Sequence, residues 1–164
     1  MTRAELQERF EFRNVRAEEA DQTIVIENIC FPPNEACSPK SMTERASQAQ
    51  ETFLVAVDKE TGKIAGFLNG IATDEEVFRD EFFTDIRLHN IKGKNIMILG
   101  LDVLPEYRRQ GIASSLTSNL AIEIMDRGKV PFYCCAWSNL KSVKNALRSG
   151  FVPGWVEMTV KAAS

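Results

Sequence analysis

The run IMILGLDVL, Ile96 to Leu104, is apolar nearly throughout and holds no turn signal. Its longest uninterrupted piece, Ile96 to Leu101, is far too short to span a bilayer. The run fits a central β-strand covered on both faces. It stops at Pro105, the polar EYRRQ follows, and Gly111 opens a stretch in which Ala113, Leu116, Leu120 and Ile124 recur at helical spacing as far as Arg127. A buried strand therefore hands over directly to a helix, with Gly128 placed to cap that helix at its C-terminus. This hand-over restricts the fold to one in which helices pack against a sheet.

The flanking segments agree. Glu11 to Arg16 has the length of a first strand, and from Ala17 a helical pattern puts Ala20, Ile24 and Phe31 on one face until Pro32 and Pro33 end it. Ser41 and Glu44 have capping-box spacing for a second helix. Phe53–Val57 and Lys63–Thr73 read as a hairpin closed by DKETGK, with Gly62 free to take a positive φ. DEEVFRDEFFTD, Asp74 to Asp85, reads as an amphipathic helix with Phe78 and Phe82 four apart and a solvated acidic face. VPFYCCAW is a further strand. Ser138 or Asn139 caps a helix that carries Leu140, Val143 and Leu147 and stops at Gly150, and GFVPGWVEMTV closes the chain in extended form. Strands and helices mix throughout, so the class is α/β or α+β with one sheet. At 164 residues the chain is expected to form one domain, 1–164.

Twenty basic against 23 acidic residues leave a net charge of −3, which argues against nucleic acid or an anionic membrane as partner. The polar N-terminus, MTRAELQERFEFR, lacks the apolar centre of a signal peptide, so a cytoplasmic location is expected. Cys30, Cys37, Cys134 and Cys135 then stay reduced, and their spacing suits no common metal site. Cys134 and Cys135 are expected to be buried and inert, and Trp137 and Trp155 to lie in the core.

A helix leaves its first backbone N–H groups unpaired and carries about half a positive charge at that end. Placed straight after a central strand, that end forms an anion cradle. Gly111 lets an anion approach the backbone, Ala113 is small enough to allow the same, and Arg108 and Arg109 add full charge. No Gly-Lys-Ser/Thr follows, so this is no nucleotide P-loop. A single glycine does not make a dinucleotide fingerprint or a flavodoxin-like site. The competing reading is a tight turn with two solvated arginines.

VLPEYRRQGIASSL resembles the acyl-CoA-binding motif of the GNAT superfamily of N-acetyltransferases, with Arg108, Gly111 and Ala113 as the core of its Arg/Gln-x-x-Gly-x-Gly/Ala pattern. SNLKSVKNALRSGF is similar to the later motif of that family, a helix opened by Asn and closed by Gly-Phe. More loosely, ENICFPPNEACS and DEEVFRDEFFTDIRLHNIKGKNIMILGLDV resemble the arylalkylamine N-acetyltransferase branch. The resemblance implies a twisted mixed sheet flanked by helices, with splayed central strands and acetyl-CoA as co-substrate. It places the pyrophosphate on the N–H groups of Arg109, Gln110, Gly111, Ile112, Ala113 and Ser114, below Arg108. The pantetheine arm runs beside Leu101 and Val103, Asn139 faces that arm, and Ser142 lies one turn on.

The implied reaction is direct attack of a neutral amine on the thioester, with the oxyanion held by a strand N–H, that of Val103. Many relatives carry a tyrosine where this chain has Ala146, so the usual acid is missing. A thiolate near pKa 8.5 is only about 2 kcal/mol too basic at pH 7, and water can take over the role. The histidines of the arylalkylamine branch correspond to Met97 and Leu99, and the sole histidine, His89, sits in a polar loop and is expected to be solvated. Glu27 is the candidate base, its alternative being a carboxylate paired to an arginine or a backbone group. Phe31 and Glu35 fall where relatives bind the acceptor. Asp102 alternates away from Leu101 and Val103, so its side chain is expected to leave the cofactor side unless a bulge intervenes. The acceptor is expected to be a small-molecule amine, and a homodimer stays open. The rival reading is a non-catalytic acyl-CoA sensor or partner-binding module.

Overall fold

The computed structural model describes residues 2–135, 139–154 and 156. Five strands, β1 (Phe10–Asn14), β2 (Phe53–Asp58), β3 (Ile64–Thr73), β4 (Asn95–Val103) and β5 (Val130–Tyr133), form one sheet in the order β1-β2-β3-β4-β5. All neighbours are antiparallel except the parallel pair β4–β5. Helix α4 (Ile112–Asp126) supplies the crossover between those two strands, as a parallel pair requires. The mixed sheet expected from the sequence is the one observed.

Each face of the sheet has its own apolar layer. On one face, Ile112, Leu116, Leu120 and Ile124 of α4 join Leu6 of helix α1 (Arg3–Arg9) and Leu54, Leu68, Ile96 and Ile98 of the strands. On the other, Ile26 of helix α2 (Ala20–Cys30) and Met42 and Ala46 of helix α3 (Pro39–Gln48) pack on Phe53, Val55 and Phe67. Leu116 and Leu120 are fully buried, each stabilising the fold by about 2 kcal/mol. Helix α5 (Leu140–Arg148) adds no buried residue to either layer. It docks on α4 through Ser114 Oγ, which donates to Asn145 Oδ1 at 2.9 Å, and Asn145 Nδ2, which donates to Thr117 Oγ1 at 2.9 Å.

Several expectations from the sequence are corrected. Asp74 to Asp85 is no α-helix: it holds a 3-10 turn at Asp80–Phe83, and another follows at Ile86–Leu88. A helix there would stack Glu76 on Asp80 and Glu81 on Asp85, like charges four apart, whereas the turns let Phe78 meet Phe82 and Phe83 at centroid distances of 5.8 and 5.6 Å. The cap of α3 is Ser38, whose Oγ accepts from Ser41 N at 3.1 Å, with Pro39 in the first turn; Ser41 is not the cap. The first strand begins at Phe10 and follows a helix signalled by the Thr2/Glu5 capping box. On α2 the buried positions are Ala20, Thr23, Ile26 and Glu27, while Phe31 has already turned extended. On α4 the stripe begins at Ile112, with Ala113 half-buried. On α5 Leu140 and Leu147 are exposed, and the inward side carries Ser142, Asn145 and Ser149.

His89 is not solvated. Its buried side chain accepts from Ala72 N at Nδ1 (3.1 Å) and places Nε2 2.8 Å from Glu51 Oε1. Cys134 is half-buried and Cys135 is exposed. Trp137, Ser138 and Trp155 lie outside the described residues, as do residues 157–160 of the expected terminal extended segment.

Candidate active site

Two breaks in strand pairing shape the site. The first is a bulge: Asn69 faces Gly100 and Gly70 faces Ile98, leaving Leu99 as an extra residue in β4. Ile96 and Ile98 lie in the layer under α4, and after the bulge Leu101 and Val103 do so as well. Asp102 consequently faces α2 and α3, on the side away from Leu101 and Val103. The second break is the splay. Pairing of β4 with β5 runs from Asn95/Val130 to Ile98/Tyr133 and stops, while β4 continues to Val103 against β3. From Leu99 to Val103 that edge of β4 has no strand beside it among the described residues.

The strand-to-helix turn lies at the end of this edge. Pro105–Tyr107 forms a 3-10 turn, Arg109 takes φ 64°, and Gly111 takes φ 97° as the N-cap of α4. No side chain caps the helix, and among the described residues no acceptor serves the N–H groups of Arg109 through Ser114. A row of six unpaired amides at the positive end of a 15-residue helix is a seat for an anion. Helix α1 braces the turn from behind: Leu6 Cδ1 lies 3.4 Å from where a Cβ on Gly111 would stand, and Arg9 Nη1 donates to Gln110 Oε1 at 3.3 Å.

The two arginines diverge. Arg108 folds back along β4, donating from Nε to the Val103 carbonyl at 2.9 Å and from Nη2 to Cys30 Sγ at 3.7 Å, so its charge serves the strand end. Arg109 is exposed beside the cradle. Asn139 is the cap of α5, its Oδ1 accepting from Ser142 N at 3.1 Å. Ser142 Oγ lies 2.9 Å from Tyr133 OH, at the base of the splay and one helical turn before Ala146. Burial pushes the Tyr133 phenol above its ordinary value.

On the opposite face, under the free edge, Glu27 and Asp102 meet within hydrogen-bonding reach. They are 5% and 3% exposed. Glu27 Oε1 accepts from Cys37 N at 2.7 Å, tying the carboxylate to the loop that joins α2 to α3. Asp102 Oδ2 is buried without a hydrogen-bond partner, and the Cys30 thiol lies beside the carboxyl. Burial, then the neighbouring Glu27, raises the Asp102 carboxyl from 3.8 to about 9. Cys30 donates from Sγ to the Val103 carbonyl at 3.5 Å, and its thiol is pushed up to about 11, chiefly by burial. Arg45, 3% exposed, donates to Asn69 Oδ1 at 3.0 Å and to the Phe83 carbonyl at 2.6 Å. Phe31 is half-buried and Glu35 exposed on the same loop as Cys37.

Of the expected cofactor residues, Leu101 and Val103 lie on the free edge of β4 and Arg109 to Ser114 on the α4 turn. Arg108 folds back to the strand end, Asn139 and Ser142 belong to α5, and Glu27 sits across the strand. Sequence reasoning missed Asp102 as the partner of Glu27, together with Arg45 and Tyr133. The Asp102 contact depends on the extra residue at Leu99, which turns Asp102 from the α4 face to the α2 face and leaves no mark in the local sequence.

Residues 16–151 match the family model described as Acetyltransferase (GNAT) family. No curated protein matches the chain at a significant level. Among solved structures, aminoglycoside antibiotic 6'-N-acetyltransferase AAC(6')-Ih from Acinetobacter baumannii is similar with TM-score 0.68 at 18% identity, over 94% of this chain and 99% of that one. Diaminobutyrate acetyltransferase EctA from Paenibacillus lautus, solved with L-2,4-diaminobutyric acid and coenzyme A, gives TM-score 0.60 at 18% identity, over 84% and 72%. The loading GNATL domain of CurA from Lyngbya majuscula gives 0.61 at 18%, over 70% of this chain, which spans only 57% of that domain's chain. At such identities the likeness concerns the fold; the family model, which covers most of the length, carries the assignment. The chain belongs to the GNAT acetyltransferase family.

Proposed function

We propose that this protein is an acetyl-CoA-dependent N-acetyltransferase acting on the primary amine of a small molecule. The observation that carries the reading is the row of unpaired amides from Arg109 to Ser114, opening at Gly111 directly beside the free edge of β4. A diphosphate satisfies those amides, and the exposed Arg109 adds charge to them. The edge of β4 beyond Ile98, with no strand beside it and only the Val103 carbonyl already taken by Arg108 and Cys30, offers backbone to the two amides of a pantetheine arm. The similar EctA structure holds coenzyme A together with an amine, and AAC(6')-Ih is an N-acetyltransferase of aminoglycosides, which supports both halves of the reading.

In this mechanism Glu27 takes the proton of the attacking amine, and the Val103 N–H stabilises the oxyanion that follows. Phe31 and Glu35 line the acceptor side. Ala146 contributes no proton, so the departing thiolate is protonated from water, at a cost of about 2 kcal/mol at neutral pH. When bound, acetyl-CoA supplies the activated acyl group; orientation and proton removal come from the chain. Release of free thiol from acetyl-CoA, followed across arylalkylamines, polyamines, aminoglycosides and peptides, tests the reading. An amine-dependent rate is expected. Tight binding of acetyl-CoA with silence across every amine would make the protein an acyl-CoA sensor, and no binding at all would remove both readings.

A further inference from the structure

Two carboxyl groups buried against each other cannot both be ionised: like charges at contact in a poorly solvated site force one to keep its proton. Glu27 already accepts the Cys37 N–H at 2.7 Å, as an anion does. Asp102 accepts from nothing at Oδ2, although that atom is buried. A buried acceptor without a donor is costly, and an Asp102 oxygen that carries the proton becomes a donor itself. Asp102 also pairs in register with Phe67, a fully buried ring on β3, so no water shell is at hand to carry a second charge.

We propose that Asp102 is the positioning residue of the acceptor site: its carboxyl donates to Glu27 and orients that carboxylate as the base. This rests on the acetyltransferase reading. The charged and titratable groups facing the pair are Cys30 from α2, Cys37 from the α2–α3 loop, Arg45 from α3 and Arg108 from the end of β4. Both thiols are raised by burial and stay neutral. One carboxylate therefore stands among two guanidinium groups. The proton balance is simple: an ammonium docks, the site releases one proton to solvent to leave the amine neutral, Glu27 gains the proton lost by the amine nitrogen on attack, and that proton later leaves to solvent. The Asp102 proton stays in place.

The raised Asp102 carboxyl provides a readout independent of turnover. Unfolded, the group ionises near 3.8; folded, it holds its proton to about 9. Between those values the unfolded chain binds fewer protons, so this group lowers stability as pH rises and levels off above about 9. Asp102→Asn keeps the donor and removes the ionisation. The gap between the unfolding midpoints of D102N and the native chain is expected to widen from pH 5 to pH 9; a constant gap overturns the shared proton. With acetyl-CoA and a panel of amines, D102N is expected to keep kcat within about threefold and to lose the alkaline limb of the native pH profile. Asp102→Leu is expected to lower kcat more than 100-fold at unchanged KM for acetyl-CoA. Equal activity of the two variants overturns the positioning role, as does equal loss, and if D102L does not fold the pH profile of D102N decides alone. A native chain that acetylates no amine refutes the acetyltransferase reading and the positioning role together, while the unfolding midpoints still decide the shared proton.

Discussion

Replacing Gly111 by Glu separates binding from folding at the cradle. Gly111 holds φ 97°, where a residue with a Cβ costs about 1–2 kcal/mol. Space is not the obstacle, because the nearest atom to an added Cβ is Leu6 Cδ1 at 3.4 Å, an ordinary contact. A carboxylate at the first turn of α4 recovers roughly 0.3–1 kcal/mol from the helix dipole. The net loss of stability is therefore about 1 kcal/mol, and the protein folds. Binding fares differently. A negative charge about 5 Å from a diphosphate carrying two charges, at an effective dielectric near 40, repels it by about 3 kcal/mol. That is ~100-fold or more in Kd for coenzyme A. Titration calorimetry with coenzyme A, beside urea unfolding of the same samples, measures both quantities. Gly111→Ala is the control: it keeps the strain without the charge and should lose stability while weakening binding less than tenfold. A G111E protein that folds and binds coenzyme A within threefold of the native chain would show that the phosphates sit elsewhere.

Two further outcomes are expected. Arg45→Met strips donors from Asn69 Oδ1 and the Phe83 carbonyl in a buried site and should cost about 3 kcal/mol or more in urea unfolding; a change under 1 kcal/mol would mean those groups find other partners. Iodoacetamide at pH 8 should label the exposed Cys135 first and leave Cys30 and Cys134 nearly untouched, since their thiols, held near 11 by burial, are only ~0.1% ionised there. Early modification of Cys30, read by peptide mass, would contradict the packing of α2 on the end of β4.

The parts of the fold that were legible in the sequence are those governed by local chemistry. Gly62, Gly128 and Gly150 all take positive φ where the turns and helix ends were expected, and Asn139 caps α5 with its own side chain. Local chemistry also misled: Phe78 and Phe82 have helical spacing, yet they meet across 3-10 turns because the acidic residues between them repel along a helix. His89 shows a different limit. A polar loop histidine is exposed on average, and only the return of that loop to Ala72 and Glu51 buries it, a tertiary event with no mark in LHNIKGKN. Helix α1 was available from Thr2 and Glu5, whose side chains close a capping box, but its place behind the cradle depends on the β1 start lying beside the β4 end.

The candidate site turns on one residue that no pattern in IMILGLDVL discloses. In a regular strand Met97, Leu99, Leu101 and Val103 would share a face, and Asp102 would lie with Ile96 and Ile98 under α4, among Leu6, Leu116 and Leu120. A lone carboxyl in that layer would have no partner and no water, a cost of several kcal/mol. The extra residue at Leu99 reverses the alternation, so the apolar layer is continued by Leu101 and Val103 while Asp102 is delivered to Glu27. The same irregularity falls where β5 departs, next to Ile98 and Tyr133, so the free edge of β4 and the turn of Asp102 toward Glu27 begin at one point in the strand. The bulge therefore does two things at once: it keeps the layer under α4 apolar, and it sets the Asp102 carboxyl beside Glu27 on the face of the sheet away from α4.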